Sequence, residues 1–313
     1  MRSRYGYHRK HGARQYRYAP GKRVRSYALR MALAGLCMIG LVFSGLKVCQ
    51  FFADSWQTRS TNEAVAALYH AAEVPKSAPA HAMKQGTTGA PLAARTPAPT
   101  AIFHTIGDSP LPRFKELIKA NPDVIGWLNI RGELDIPVVY RNNEYYLTRD
   151  VYRKKSTAGT LFLDENHPLT ASAQHLVIHG HNMKDGSMFG HLQRYLELSY
   201  LKKHCVIQFD TLYQEGTYVV FAVLVIPENV HSAGFINFLG YPTFSSQDQL
   251  MEYVNRLKEK SKFAISIMVD ISDTLLTLST CHGEDRLIIT ARRIRPGESV
   301  SSLKTTVGYA SRR

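Results

Sequence analysis

Cys281 closes an apolar run, Leu275-Leu276-Thr277-Leu278-Ser279-Thr280, that reads as a β-strand. A thiol at the end of a strand is held on a rigid platform at the mouth of a fold, where a nucleophile has to be. Five residues on, Arg286 opens the next apolar run. A guanidinium that close can favour the thiolate or hold the oxyanion of a tetrahedral intermediate. Spacing alone leaves other readings open. Cys281 can equally be a core thiol beside a surface arginine. It can also be half of a disulfide with Cys205, the other cysteine of the C-terminal part.

A cysteine nucleophile needs a proton donor for its leaving amine, usually histidine. Histidines are densest in His175-Leu176-Val177-Ile178-His179-Gly180-His181-Asn182-Met183. A strand there runs into a Gly-His-Asn turn, so His181 projects from a strand end. The alternatives are a metal site built from His175, His179 and His181, and a core role for His179. The i, i+2 spacing with no nearby acid or cysteine argues against the metal, and none is expected. His191 and His204 read as surface residues.

These residues have to be carried by short strands. Candidates are Asp135 to Tyr140, Thr160 to Asp164, His175 to His179, Cys205 to Asp210, Thr217 to Ile226, Thr274 to Thr280 and Arg286 to Ile294. All are rich in Val, Ile, Leu and Tyr and bounded by Gly, Asn and Asp. A short amphipathic helix is expected over Pro112 to Asn121. Another follows the capping signal Ser245-Ser246-Gln247-Asp248, with Leu250, Tyr253, Val254 and Leu257 as its apolar stripe. The simplest architecture is mainly β, a mostly antiparallel closed barrel with a few peripheral helices.

The chain carries a net charge of +14, unevenly placed. Residues 1 to 52 hold eleven Lys or Arg and no acid, which leaves the rest close to balance. That distribution disfavours a nucleic-acid partner, which needs a basic stripe on the folded part. Instead the basic arm precedes an apolar stretch, Met31 to Ala53, interrupted only by Lys47. This reads as a single transmembrane anchor, with residues 1 to 30 cytoplasmic and the remainder outside. Cys37 and Cys49 belong to that stretch. Residues 54 to 74 read as a short juxtamembrane helix, and 75 to 101, rich in Pro, Ala and Thr, as a tether. Together 54–101 form the connection, and 102–313 is the expected catalytic domain, with the barrel over about 120–296.

Seven segments, in order, resemble the signatures of class B sortases. They are Asn121 to Leu128, Ile136-Pro137-Val138-Val139, Asn143 to Leu147, Gly159 to Asp164, Gly180 to Phe189, Thr277 to Cys281, and Arg286-Leu287-Ile288-Ile289. The resemblance implies an eight-stranded barrel, with an added N-terminal helix and a helix inserted late in the barrel. It implies a cysteine transpeptidase that cuts a C-terminal sorting signal, of the NPQTN or NPxTG kind, on secreted proteins. A thioacyl-enzyme would then be resolved by an amine of a peptidoglycan precursor or of a pilin lysine, without a cofactor. By motif position His181, Cys281 and Arg286 are the catalytic residues. Asn143, Leu147, His179, Ser279 and Thr280 are expected to contact substrate. Two departures stand out: only His282-Gly283-Glu284-Asp285 separates Cys281 from Arg286, and His179 stands where many members have Tyr. Arg292 and Arg293 are weaker candidates for the arginine. A hydrolytic cysteine protease and a non-catalytic wall-binding module are the competing readings.

Overall fold

The computed structural model describes residues 22–71, 109–167, 169 and 173–313, and for 22–26 and 28 the backbone alone. The basic arm up to residue 21 and the tether read over 75–101 lie outside the described residues. The chain divides into two units, one ending at Phe52 and one over Ala53–Arg313.

Helix α1 (Lys22–Ala71) begins in the first unit. From Leu29 onward it contains an 18-residue window of mean hydropathy 2.0, none of it buried. Leu36, Met38, Ile39, Leu41, Val42 and Phe43 are all exposed on it. By length and composition this helix is a candidate membrane span: the stretch Met31 to Ala53 is about 34 Å long at the α-helical rise, enough to cross a bilayer core.

The second unit is a closed barrel in the order β1-β2-β3-β4-β8-β9-β6-β5. Its strands are β1 (Val124–Ile130), β2 (Leu134–Tyr140), β3 (Leu161–Leu163), β4 (His175–His179), β5 (Val206–Thr211), β6 (Thr217–Pro227), β8 (Leu275–His282) and β9 (Asp285–Arg293). Closure leaves no sheet edge exposed. Neighbours are antiparallel except β2 with β3 and β4 with β8. Short β7 (Phe263–Ala264) and β10 (Ser311–Arg312) pair outside the barrel.

Seven of the eight barrel strands lie within two residues of the sequence expectation. The eighth, β1, was read only as a motif. Leu128 and Ile130 face the barrel interior while Val124 and Trp127 face an outer core, so both faces are buried and no apolar–polar alternation marks the strand.

Helix α2 (Lys115–Ala120) follows a 3₁₀ turn at Pro112–Phe114, as the amphipathic reading of that segment anticipated. Helix α3 (Leu198–Lys203) precedes β5. The inserted helix is α4 (Gln247–Lys260). Ser246 caps it, accepting from the Gln249 backbone N–H, and the Gln249 side chain accepts in turn from the Ser245 N–H. The capping box is therefore Ser246 with Gln249, shifted by one residue from the sequence reading. Helix α5 (Val300–Gly308) was not anticipated, its Ser- and Thr-rich sequence carrying little apolar pattern.

The last turns of α1 pack on the outer core. Val65 and Tyr69 are buried, and Tyr69 stacks on Trp127 with ring centroids 4.1 Å apart. Over 54–71, the described part of the juxtamembrane helix read from the sequence, the chain is helical and docks on the barrel, which the sequence reading did not anticipate.

Candidate active site

The parallel pairing of β4 with β8 sets His179 opposite Ser279. Carrying that register on by two residues brings His181 alongside Cys281. The contact continues past the strand: the Gly180 N–H donates to the Ser279 carbonyl at 3.3 Å, and Thr280 Oγ1 donates to the Gly180 carbonyl at 2.8 Å. On its other side Gly180 packs so closely on Leu161 and Phe189 that a Cβ there would lie 2.3 Å from Leu161 Cδ2.

The antiparallel pairing of β8 with β9 sets Cys281 directly opposite Arg286 and His282 opposite Asp285. Only Gly283 and Glu284 remain to make the turn, and Gly283 has φ +65°, a region that favours glycine. The short Cys-to-Arg segment is therefore a tight hairpin. Directly opposed residues point to the same face with Cβ atoms about 5 Å apart, so the sheet itself aims thiol and guanidinium together. Arg292 lies at the far end of β9. It is buried, with Nη1 2.6 Å from Glu298 Oε2 and Nε donating to the Met268 carbonyl, which gives it a structural task. Arg293 also sits at that end, paired with Tyr218.

His181, Cys281 and Arg286 line one cleft of about 570 Å³ with Asn143, Leu147 and His179. Cys281 is exposed and unbonded, while Cys205 is a separate, buried free thiol whose pKa burial pushes up. His181 Nε2 donates to the Leu147 carbonyl at 2.8 Å. A carbonyl only accepts, so Nε2 carries hydrogen and Nδ1 is left to exchange a proton. Asn182 Nδ2 and Gln193 Nε2 both donate to the Cys281 carbonyl, at 3.0 and 3.2 Å. His282 Nδ1 donates to Gln193 Oε1 at 2.5 Å. Arg286 donates to Ser279 Oγ at 3.3 Å and pairs with Glu228 at 2.5 Å, which leaves further N–H groups of its five.

Ser279 and Thr280, expected to contact substrate, are instead fully buried. Being adjacent on β8, they face opposite sides of the sheet: Ser279, on the face of Cys281, accepts from Arg286, and Thr280, on the other face, donates to the Gly180 carbonyl. Asn143 and His179 meet on the buried carboxylate of Asp164, with distances to Oδ2 of 2.9 and 3.1 Å. Burial by itself would raise the Asp164 pKa. Nearby His167, His179 and the Asn166 N–H outweigh it and hold the carboxyl well below the usual range. The three histidines once weighed as a metal set go to different partners. His175 bonds Thr277 Oγ1, His179 bonds Asp164 and His181 bonds Leu147. His204 is not a surface residue; it is buried and stacked on Tyr200, with ring centroids 4.3 Å apart.

Sequence reasoning missed Asp164, Asn182, Gln193 and Glu228. Asp164 and Asn182 lie inside the quoted motifs, beside residues that were assigned. Gln193 and Glu228 carry no local signal. The apolar wall Val230, Phe235, Phe238 and Leu239 comes from the irregular connection between β6 and α4.

The family model for the Sortase domain matches residues 131–294. The chain belongs to the sortase family. Sortase B of Listeria monocytogenes is 31% identical over 172 residues, covering 54% of this chain and 67% of that protein. Sortase B of Staphylococcus aureus is 30% identical over 185 residues, covering 58% and 72%. The sortase is a class B member and a cysteine transpeptidase by family. The structure of a sortase B from Bacillus anthracis in complex with AAEK2 superposes with a TM-score of 0.60 at 23% identity, over 77% of this chain and 97% of that one. A Staphylococcus aureus sortase B–substrate complex gives 0.54 at 26% identity, over 60% and 88%. The closed eight-stranded barrel is thus the family's fold.

Proposed function

We propose that this sortase is a membrane-anchored transpeptidase. It cleaves a C-terminal sorting signal of the NPQTN or NPxTG kind on secreted proteins and joins them to a peptidoglycan amine. The observation that carries this reading is the convergence, by strand register, of His181, Cys281 and Arg286 on one apolar-walled cleft. The Cys281 thiolate attacks the scissile carbonyl, and Arg286 with backbone N–H groups stabilises the oxyanion. The C–N bond breaks, His181 gives its proton to the departing amine, and the acyl group remains on sulfur. An incoming amine attacks the thioester, loses a proton to His181 and releases the thiolate. Asn143, Leu147 and His179 form one wall against the signal peptide.

The apolar stretch Met31 to Ala53 is the anchor. The basic residues before it place the N-terminus in the cytoplasm and the catalytic domain outside. Incubating the enzyme with a sorting-signal peptide library and either a peptidoglycan-stem amine or a pilin-type lysine peptide, then weighing the products, tests the reading. Joined products with the stem amine are expected. Hydrolysis alone identifies a protease, and joining only to the lysine peptide identifies a pilus assembler.

A further inference from the structure

His181 stands on a loop, and that loop is tied to α1. After His181 the chain folds back tightly. Asn182 bridges to Met188, and the Phe189 N–H donates to the His181 carbonyl at 2.9 Å. Met188 has φ +49°, sparsely populated for a residue with a side chain, so the surroundings must hold the turn. At its tip Asp185 Oδ1 accepts from the Ser187 N–H at 3.0 Å and from Ser187 Oγ at 2.7 Å.

Two residues of α1 grip that tip. Ser55 donates to the other Asp185 carboxylate oxygen, and Arg59 Nη2 donates to the Asp185 carbonyl at 3.0 Å. One residue before Ser55, Asp54 accepts from Thr157 Oγ1 at 3.3 Å. Thr157 lies on the connection that follows Leu147, whose carbonyl fixes the His181 ring. Both segments that orient His181 are thus held by residues 54 to 59, the first turn and a half of helix after the apolar stretch. Thr58, on the same face, is buried.

We infer that Ser55 and Arg59 are positioning residues for His181, acting through Asp185, so that the emerging part of α1 belongs to the catalytic apparatus as well as to the anchor. This rests on the reading of His181 as the proton donor. Loosening the tip lets the imidazole drift while the thiol and guanidinium, fixed by the sheet, stay in place. The loss therefore falls on kcat.

The test uses the full chain in detergent micelles and the double variant Ser55→Ala/Arg59→Ala. Transfer kinetics with an NPQTN peptide and the pH profile of Cys281 alkylation by iodoacetamide are both read. We expect kcat to fall about tenfold with KM nearly unchanged, since small misplacements of a catalytic group are costly. The alkylation profile should shift, because the imidazole beside the thiol has moved. Arg59→Lys alone should retain most of the wild-type kcat. His70→Ala removes a contact between α1 and Asp135 away from the loop and should leave both readouts unchanged. Unchanged kcat and profile in the double variant overturn the proposal, as does an equal loss in His70→Ala. If the wild-type protein transfers nothing, the transpeptidase reading fails, and the alkylation profile still decides whether the helix positions His181.

Discussion

Two regions bring the proposed reacting groups together, and they do so by different means. Cys281 and Arg286 are cross-strand partners in β8 and β9, and Arg286 is paired on its other side with Ile226 of β6. His181 lies two residues beyond β4 and is oriented by the Leu147 carbonyl and by a loop fastened at Asp185. Sheet register fixes the electrophile-facing pair as part of the fold, whereas side-chain contacts fix the proton donor. Substitutions in the first region should therefore change chemistry without changing geometry. Substitutions in the second should change geometry first.

The largest expected effect is Cys281→Ala, which removes the only group able to form the covalent intermediate and abolishes both cleavage and transfer, read as absence of either product. Arg286→Lys comes next. Lys keeps the charge but loses the planar fork, so kcat/KM should drop roughly 100-fold or more while thermal stability holds. Arg292→Lys sharpens the contrast from the other end of β9. There the fork binds Glu298, with Asp273 close by, in a buried cluster. The variant should lose about 2 kcal/mol in denaturant unfolding while the folded fraction stays active. If Arg292→Lys cripples catalysis and Arg286→Lys is tolerated, the hairpin does not present the functional arginine.

Asn182→Ala with Gln193→Ala removes both donors to the Cys281 carbonyl, a contact between the loop region and the sheet region. The expected loss is about tenfold in kcat, a small geometric effect of the kind a misaligned site produces. A loss as large as that of Arg286→Lys would mean that the hairpin is not rigid by itself.

Much of this division was legible in the sequence. Short runs rich in Val, Ile, Leu and Tyr, bounded by Gly, Asn and Asp, marked most strands, and Cys281 and His181 stood at strand ends. What was hidden depended on pairing. No local pattern says that β4 lies parallel to β8, so the adjacency of His181 and Cys281 could be expected only through resemblance. The burial of Ser279 and Thr280 was hidden in the same way, because β8 is covered on both faces. The docking of α1 was hidden because half of its contact face is polar, with Ser55, Thr58 and Arg59 beside the buried Val65 and Tyr69.

A further effect falls on stability and not on catalysis, in the barrel beneath the site. Burial pulls the His175 pKa down to about 3, and burial lowers that of His204 as well. The His175 ring is neutral when folded and protonates more readily when unfolded. Stability should therefore fall as pH drops below about 6.5, by up to about 1.4 kcal/mol per pH unit for His175 until its folded pKa is reached, with His204 adding in the same direction. Asp164, whose pKa is depressed, adds a further loss once pH falls below about 4. His175→Gln should flatten the first slope in urea titrations between pH 6.5 and 4.

The central claim is that acyl transfer passes through the sulfur of Cys281. The most direct measurement is the intact mass of the enzyme mixed with a sorting-signal peptide and no amine, followed by peptide mapping. The account predicts an acyl adduct on Cys281 that disappears when the amine is added and never forms in Cys281→Ala. Transfer without an adduct, or an adduct on any other residue, would contradict it.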